Sequence, residues 1–192
     1  MLFLVADAHT HTLKANALVS REPWLDMPQG YLYSVGIHPW HLREATSADW
    51  KELEKLVSND NVLAVGECGM DTMCGVPMEL QTEAFERHIR LSEDVRKPLI
   101  VHDVRSHQQL ISLHKKWKPI MPWVIHGFRG KPQLADMLLR EGFYLSFGEH
   151  FSPASVAVVP SGRLLVETDE SHLSIEEIAG RVNKYYQGQT GI

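Results

Sequence analysis

Two histidines near the start of the chain, His9 and His11, stand two positions apart in the motif DAHTH at residues 7–11. Alternate side chains of a β-strand share a face, so this spacing predicts that both imidazoles point the same way. Two imidazoles on one face can bind a divalent ion, and a nearby carboxylate such as Asp7 can fix their orientation. The motif alone leaves open the alternative of an exposed histidine pair at the end of a strand.

Similar polar clusters close the other apolar runs of the chain. Together with the first pair, the candidate metal ligands in these clusters are His9, His11, Glu67, His102, His126 and Asp169. Each alone has an ordinary reading, since a buried histidine is usually hydrogen-bonded in the core and a glutamate after a strand often caps a helix. Their shared placement at strand ends predicts a common metal site, and imidazole and carboxylate ligands suit zinc, manganese or similar ions.

The elements that would position these residues are short strands alternating with helices. Seven strand candidates lie at residues 2–6, 31–36, 62–66, 98–102, 123–126, 143–147 and 164–167, and helix candidates lie at 50–56, 78–94, 106–116, 132–140 and 175–186. This alternation predicts an α/β fold with a parallel sheet covered on both faces. We expect a TIM-barrel-like (β/α) barrel, incomplete or distorted because only seven strands are clear, with the active site at the C-terminal rim.

Composition narrows the class of protein. The chain has 192 residues and a formal net charge of -5, so we expect a single domain over residues 1–192 and no broad basic surface that coats nucleic acid. The two cysteines, Cys68 and Cys74, lack the spacing of a zinc finger. No stretch has the pattern of a signal peptide or a membrane span, and we expect a cytoplasmic protein.

Six motifs, taken in order, resemble those of the TatD-type metal-dependent hydrolases, a branch of the amidohydrolase-like TIM barrels described as deoxyribonucleases. They are DAHTH at 7–11, GIHPW at 36–40, VGECGMD at 65–71, HDVR at 102–105, HGFRG at 126–130 and RLLVETD at 163–169. The resemblance implies a phosphodiesterase that uses metal-activated water on DNA or another phosphodiester. It also implies two divalent ions as cofactors, either zinc, manganese or magnesium.

The resemblance further implies a role for each matching residue. One ion would be bound by His9, His11 and Asp169, and a second by His102 and His126, with Glu67 bridging the two. Asp169 would also orient or deprotonate the attacking water, so Asp169 and Glu67 are the catalytic candidates. The residues expected to approach the scissile phosphate are His38, Arg105 and Arg129.

The chain departs from the family pattern after Asp169. Family members usually carry a long loop there, rich in Pro, Arg and Asn, whereas this chain proceeds almost at once to a helix start. Ser174 would be the N-cap of that helix, with Glu177 at the third helical position.

Without that loop, and with seven strands, we expect a thin or open barrel wall between Asp169 and the first strand. The last helix would cover part of this gap and turn Ile178, Val182 and Tyr185 inward. An exposed apolar flank would favour a homodimer.

Two alternatives to a phosphodiesterase stay open. The same site could hydrolyse an amide, ester or lactone bond, because metal ligands activate water without specifying the electrophile. The shortened C-terminal region would also fit a truncated, non-catalytic family member that binds a partner. The expected partners are DNA or another phosphodiester substrate, and no membrane.

Overall fold

Eight parallel strands, paired in sequence order, build the barrel in a computed structural model that describes residues 5–160 and 162–186. The strands are β1 Asp7–Thr10, β2 Ala17–Arg21, β3 Leu32–Val35, β4 Val62–Asp71, β5 Leu99–Val104, β6 Trp123–Ile125, β7 Tyr144–Phe147 and β8 Leu164–Val166. A parallel bridge between Thr10 and Asp169 connects β1 to the segment after β8. The expected TIM-barrel-like α/β fold is confirmed, as a nearly closed barrel.

Helices follow the later strands of the barrel. They are α1 Ser47–Leu56, α2 Met78–Val95, α3 His107–Trp117, α4 Pro132–Arg140, α5 Pro153–Val156 and α6 Ile175–Asn183. In the part of the chain that the structure describes, β1 and β2 are followed by loops instead. None of the described helices is long and apolar enough to cross a lipid bilayer.

The core has an inner and an outer part, as a barrel requires. The inner cluster takes one residue from each of six strands: Ala8, Leu18, Ala64, Ile100, Val124 and Leu165. The outer and larger cluster joins strands to helices and includes Phe85, Trp123 and Phe143. Because both faces of the sheet are covered, nearly every strand residue is buried. This packing holds in place the strand ends that carry the site.

Three expectations about the barrel strands are wrong. The missed strand is β2, whose three apolar residues end in Ser20 and Arg21 and so give a weak strand signal. Of the first predicted strand, at residues 2–6, residues 5 and 6 precede β1, which begins at Asp7, and residues 2–4 lie outside the described residues. Glu67 lies inside the ten-residue β4, not after a strand that ends at Gly66.

The wall between Asp169 and β1 is thin, as expected, but it is not open: a single isolated bridge, between Thr10 and Asp169, joins the two ends of the sheet. The Asp169 N–H donates to the His9 carbonyl at 2.9 Å, and the His11 N–H donates to the Asp169 carbonyl at 3.4 Å. Because these hydrogen bonds join the two ends of the barrel, an open flank no longer supports the expected homodimer. The homodimer stays a prediction.

The last helix begins as predicted and ends earlier. Ser174 and Glu177 form a capping box, in which the Ser174 side chain accepts from the Glu177 N–H and the Glu177 side chain accepts from the Ser174 N–H. Ile178 and Val182 are fully buried, as expected. Tyr185 is 45% exposed because the helix ends at Asn183, so its predicted inward orientation is wrong.

Candidate active site

The C-terminal ends of the strands surround a pocket of about 320 Å³. Five of the six predicted ligands line it, and the sixth, His9, lies beneath with no exposed surface. Three overlapping groups have donor atoms within 4.8 Å of one another: His9, His11 and Glu67; His9, His126 and Asp169; and His38, Glu67 and His102. The structure therefore brings all six predicted ligands together, and adds His38 to them.

Glu67 is the centre of this cluster and is only 5% exposed. Its Oε1 lies 2.8 Å from His102 Nδ1 and 2.7 Å from His126 Nε2. Its Oε2 lies 3.2 Å from His9 Nε2 and 3.5 Å from His11 Nε2. Each carboxylate oxygen thus faces a different histidine pair, which is the arrangement that a bridging ligand needs.

Two glycines permit the close strand packing around Glu67. Gly36 follows β3, and a Cβ atom there would lie 2.6 Å from the Cα of Gly66. Gly69 lies in β4 at a φ of +140°, and a Cβ atom there would overlap the carbonyl oxygen of His102. A larger residue at Gly36 or Gly69 would push β4 away from its neighbouring strands. That shift would move Glu67 away from His102 on β5.

The first donor set combines the two histidines of β1 with Glu67 and Asp169. The Asp169 Oδ1 lies 3.8 Å from His9 Nε2 and 3.5 Å from His11 Nε2. Donor atoms about 2.1 Å from a tetrahedral ion stand roughly 3.4 Å apart. The distances from these two histidines to Glu67 and Asp169 run from 3.2 to 3.8 Å and so bracket that value. Both ring nitrogens of His9 are buried without a hydrogen-bond partner, and an ion bound there would satisfy one of them.

The second donor set is His102 and His126 against Glu67 Oε1, with His102 Nδ1 and His126 Nε2 3.4 Å apart. His38 lies beside it, its Nε2 3.1 Å from Glu67 Oε1 and 3.3 Å from His102 Nδ1. However, His38 caps a 3₁₀ turn, and its Nδ1 accepts the Trp40 N–H. A neutral His38 therefore carries its proton on Nε2, which makes it a hydrogen-bond donor rather than a ligand.

Two carboxylates that the sequence analysis gave no role stand behind the ligand histidines. Glu167 Oε1 lies 3.4 Å from His126 Nδ1, and Asp71 Oδ2 lies 3.4 Å from His102 Nε2. Carboxylates in this position fix the tautomer of a ligand histidine and turn its other nitrogen toward the ion. Both occur within motifs already noted, VGECGMD and RLLVETD, but only the fold shows which imidazole each one faces.

Asp7 differs from its expected role. Instead of orienting the histidine pair, its carboxylate accepts hydrogen bonds from the Thr168 N–H at 2.9 Å and the Thr168 hydroxyl at 2.6 Å. It joins β1 to the segment after β8 and so supports the site from below.

Charge is tightly balanced in this cluster. Burial alone would raise the pKa of the Glu67 carboxyl, but the charge of His126 and hydrogen bonds from the imidazoles hold that pKa well below its usual range. Burial alone would lower the pKa of His126, but Glu67 and Glu167 raise that pKa well above the ordinary imidazole value. Without a cation, protonated imidazole neutralises Glu67, and a divalent ion would replace that proton.

The three predicted phosphate-binding residues are placed differently from one another. His38 lines the pocket, beside the ligands. Arg129 is exposed in an adjoining polar pocket of about 250 Å³, which shares Asp169 and Glu170 with the first. Arg105 is exposed outside both pockets, with its guanidinium 3.6 Å from the sulfur of Met73.

Comparison with known proteins agrees with this architecture. The curated relatives include two proteins named uncharacterized metal-dependent hydrolases. YabD of Bacillus subtilis (strain 168) is 29% identical over 164 residues, covering 80% of this chain and 64% of that protein. YcfH of Escherichia coli (strain K12) is 31% identical over 163 residues, covering 80% of this chain and 60% of that protein.

A third relative carries a more specific name. The 3'-5' ssDNA/RNA exonuclease TatD of Erwinia billingiae (strain Eb661) is 28% identical over 171 residues, covering 83% of this chain and 63% of that protein. The chain thus spans between 60% and 64% of the length of these three relatives.

Solved structures show the same fold. YJJV, a TatD homolog from Escherichia coli K12, superposes with a TM-score of 0.74 at 24% identity, covering 88% of this chain and 76% of that one. A TatD family hydrolase from Entamoeba histolytica gives a TM-score of 0.62 at 23% identity, covering 71% and 50%. The sequence pattern of the family described as TatD related DNase matches residues 5–187. The chain therefore belongs to the TatD related DNase family.

Proposed function

We propose that this protein is a metal-dependent phosphodiesterase that cleaves DNA, with Asp169 and Glu67 as its catalytic residues. The observation that carries the proposal is the buried Glu67 carboxylate, which faces two histidine pairs beneath an open pocket. The relatives named as metal-dependent hydrolases, and the one named as an exonuclease, support it. Because the chain spans less than two thirds of their length, its activity needs a direct test.

The donor set favours two divalent ions. His9, His11, Glu67 and Asp169 would hold one, and Glu67, His102 and His126 the other. The imidazole-rich part of this site suits zinc, its carboxylates also suit manganese, and magnesium prefers sites made of oxygen ligands. When bound, such ions would supply the positive charge that lowers the pKa of water and offsets the charge of the phosphate.

The side chains around the ions have distinct tasks. The Asp169 carboxylate, 27% exposed, faces the pocket and accepts the proton of the attacking water. His38 donates its Nε2–H to a phosphate oxygen; burial lowers the pKa of His38, which keeps the ring neutral with its proton on that nitrogen. Arg129 and Arg105 contact phosphates of the strand outside the metal pocket, where guanidinium groups fit phosphate oxygens.

The test uses the purified chain, stripped of metal and reloaded with zinc, manganese or magnesium. We expect metal-dependent cleavage of a labelled single-stranded oligonucleotide by the parent, and little by Asp169→Asn. The matched control is Asp136→Asn, which changes an exposed aspartate on α4 paired with Arg140. Amide, ester and lactone substrates run in parallel, and hydrolysis of these without phosphodiester cleavage contradicts the proposal.

A parent that binds ions and cleaves nothing would instead favour the truncated, non-catalytic interpretation. The complete ligand set counts against that interpretation. We also propose a single domain over residues 1–192 and a cytoplasmic location, to be checked by limited proteolysis and by fractionation of the source cells.

A further inference from the structure

Trp40 occupies an unusual place at the mouth of the pocket. Its side chain is 54% exposed and lines the metal pocket, yet its indole N–H points inward and donates to Asp71 Oδ2 at 2.6 Å. The ring stands edge-on to His38, with ring centroids 4.8 Å apart. The apolar part of Trp40 is therefore open to a ligand, while its only polar atom is used inside the protein.

The carboxylate that receives this hydrogen bond is the one behind a ligand histidine. Asp71 Oδ2 lies 3.4 Å from His102 Nε2, while Nδ1 on the other side of that ring lies 2.8 Å from Glu67 Oε1. The His102 imidazole is thus held between two carboxylates, and Asp71 shares one oxygen between the indole of Trp40 and this ring.

Asp71 itself is firmly held. Its Oδ1 accepts the Met73 N–H at 2.7 Å, its own N–H donates to Gln81 Oε1 at 2.7 Å, and its carbonyl accepts from Gln81 Nε2 at 2.9 Å. Asp71 is 3% exposed and Gln81 has no exposed surface. Two backbone contacts with Gln81, the Met73 N–H and two side-chain donors, from Trp40 and His102, leave this carboxylate little freedom to turn.

We propose that Asp71 and Trp40 are positioning residues, which together fix His102 with its proton on Nε2 and turn its Nδ1 toward the metal site. The exposed ring of Trp40 binds a nucleobase next to the scissile bond. The hydrogen bond from Trp40 to Asp71 then links the residue that contacts the substrate to the residue that orients His102. The nucleobase part of this inference rests on the proposed function, whereas the ligand-orienting part rests on the geometry alone.

The decisive variant is Trp40→Phe, which keeps an aromatic ring and removes the indole N–H. Loss of a residue that orients a metal ligand typically weakens metal affinity by about 10- to 100-fold. We expect Trp40→Phe to weaken one of the two Mn²⁺ binding steps by about 10-fold and to lower kcat on a single-stranded oligonucleotide, with KM little changed. Trp40→Leu should show the same loss of Mn²⁺ affinity and also a raised KM, because the stacking ring is gone.

Trp24→Phe is the matched control. Trp24 is 44% exposed, and its ring contacts the imidazole of His41 rather than a ligand histidine, with centroids 6.2 Å apart. This variant should bind Mn²⁺ like the parent. Thermal melting of every variant identifies any that fails to fold.

Asp71→Asn adds a spectroscopic readout. In ¹⁵N-histidine-labelled protein loaded with Zn²⁺, the parent should show His102 with its proton on Nε2 and the ion on Nδ1, and Asp71→Asn should show a fraction of His102 without the ion. If Trp40→Phe is folded and binds Mn²⁺ like the parent, the proposal is overturned, as it is if Trp24→Phe loses the same affinity. Manganese binding without phosphodiester cleavage would refute the proposed function, while the Mn²⁺ affinities would still decide the ligand-orienting role.

Discussion

Asp169 and His9 are joined through their backbones, with the Asp169 N–H donating to the His9 carbonyl at 2.9 Å. The same contact joins the two ends of the barrel and sets the Asp169 carboxylate opposite the histidines of β1. Asp169 adopts a φ of +51°, in the left-handed region that Asp and Asn tolerate better than most residues. Asp169 therefore takes part both in closing the fold and in assembling the candidate metal site.

The substitution Asp169→Asn should separate catalysis from folding. Asparagine keeps the backbone contacts and the left-handed conformation but lacks the charge that accepts a proton. We expect a loss of about 10²- to 10⁴-fold in turnover, the usual contribution of a general base, with a melting temperature close to that of the parent. Steady-state kinetics, metal content and thermal melting measure this. Full activity in a folded, metal-loaded variant would show that Asp169 is not the base.

His38→Ala should reduce turnover less than Asp169→Asn and leave the metal content unchanged. The reason is that His38 Nδ1 accepts the Trp40 N–H, so its Nε2 acts as a donor to substrate. Metal analysis of the purified variant beside the parent is the measurement. A loss of one ion would mean that His38 is a ligand after all.

Metal affinity should fall as the pH is lowered, beginning above the pH at which free imidazole titrates. The Glu67 hydrogen bond raises the pKa of His11, and the negative charges of Glu67 and Glu167 raise the pKa of His126 against its burial. A raised pKa means that protons compete with the ion at higher pH. Titration of Mn²⁺ between about pH 8 and 5.5 tests this, and affinity that stays constant until the pH falls below about 6.5 would contradict it.

Stability should also decline in mildly acidic solution because of His88, away from the candidate ligands. Its Nδ1–H donates to the Ala84 carbonyl and its Nε2 accepts the Ile37 N–H, so the folded protein needs the neutral ring. Burial lowers its pKa to about 4, below the 6.5 of a free imidazole. The unfolded chain therefore binds the extra proton between those values, and the free energy of unfolding should fall by about 3 kcal/mol as pH drops from about 6.5 to 4.

Denaturant titrations across this pH range measure that decline. In His88→Gln the decline should shrink by this amount, although overall stability falls with the lost packing. His172→Gln, at an exposed position, is the control. An unchanged pH dependence in His88→Gln would show that His88 is not the source.

Cleavage of single-stranded DNA should depend only weakly on salt. The chain carries a formal charge of -5, and the cationic residues proposed to contact phosphate are Arg105 and Arg129. The logarithm of the binding constant for single-stranded DNA falls with the logarithm of the salt concentration, with a slope of about −0.7 for each phosphate contact. Two contacts therefore predict a slope of about −1.4. Arg129→Met should reduce the slope by about 0.7, and an unchanged slope would remove Arg129 from the substrate path.

The barrel and the cluster of candidate ligands were predictable because apolar runs mark strands and parallel strands place their ends together. Strand β2 was not predicted because Ser20 and Arg21 shorten its apolar run. The roles of Asp71 and Glu167 could not be read from sequence, since a carboxylate in a motif gives no sign of which imidazole it faces. The proton position on His38 likewise depends on one backbone N–H, that of Trp40, which only the 3₁₀ turn aims at it.

Metal content after loading shows whether the candidate ligands bind two ions. The chain is stripped with a chelator, loaded with zinc or manganese, freed of excess ion and analysed for metal per polypeptide, with anomalous diffraction locating the ions. We predict about two ions per chain, one between His9, His11 and Asp169 and one beside His102 and His126, with Glu67 touching both. A single ion would show that Glu67 does not bridge, and a content near zero, or ions bound elsewhere, would contradict a metal site at these residues.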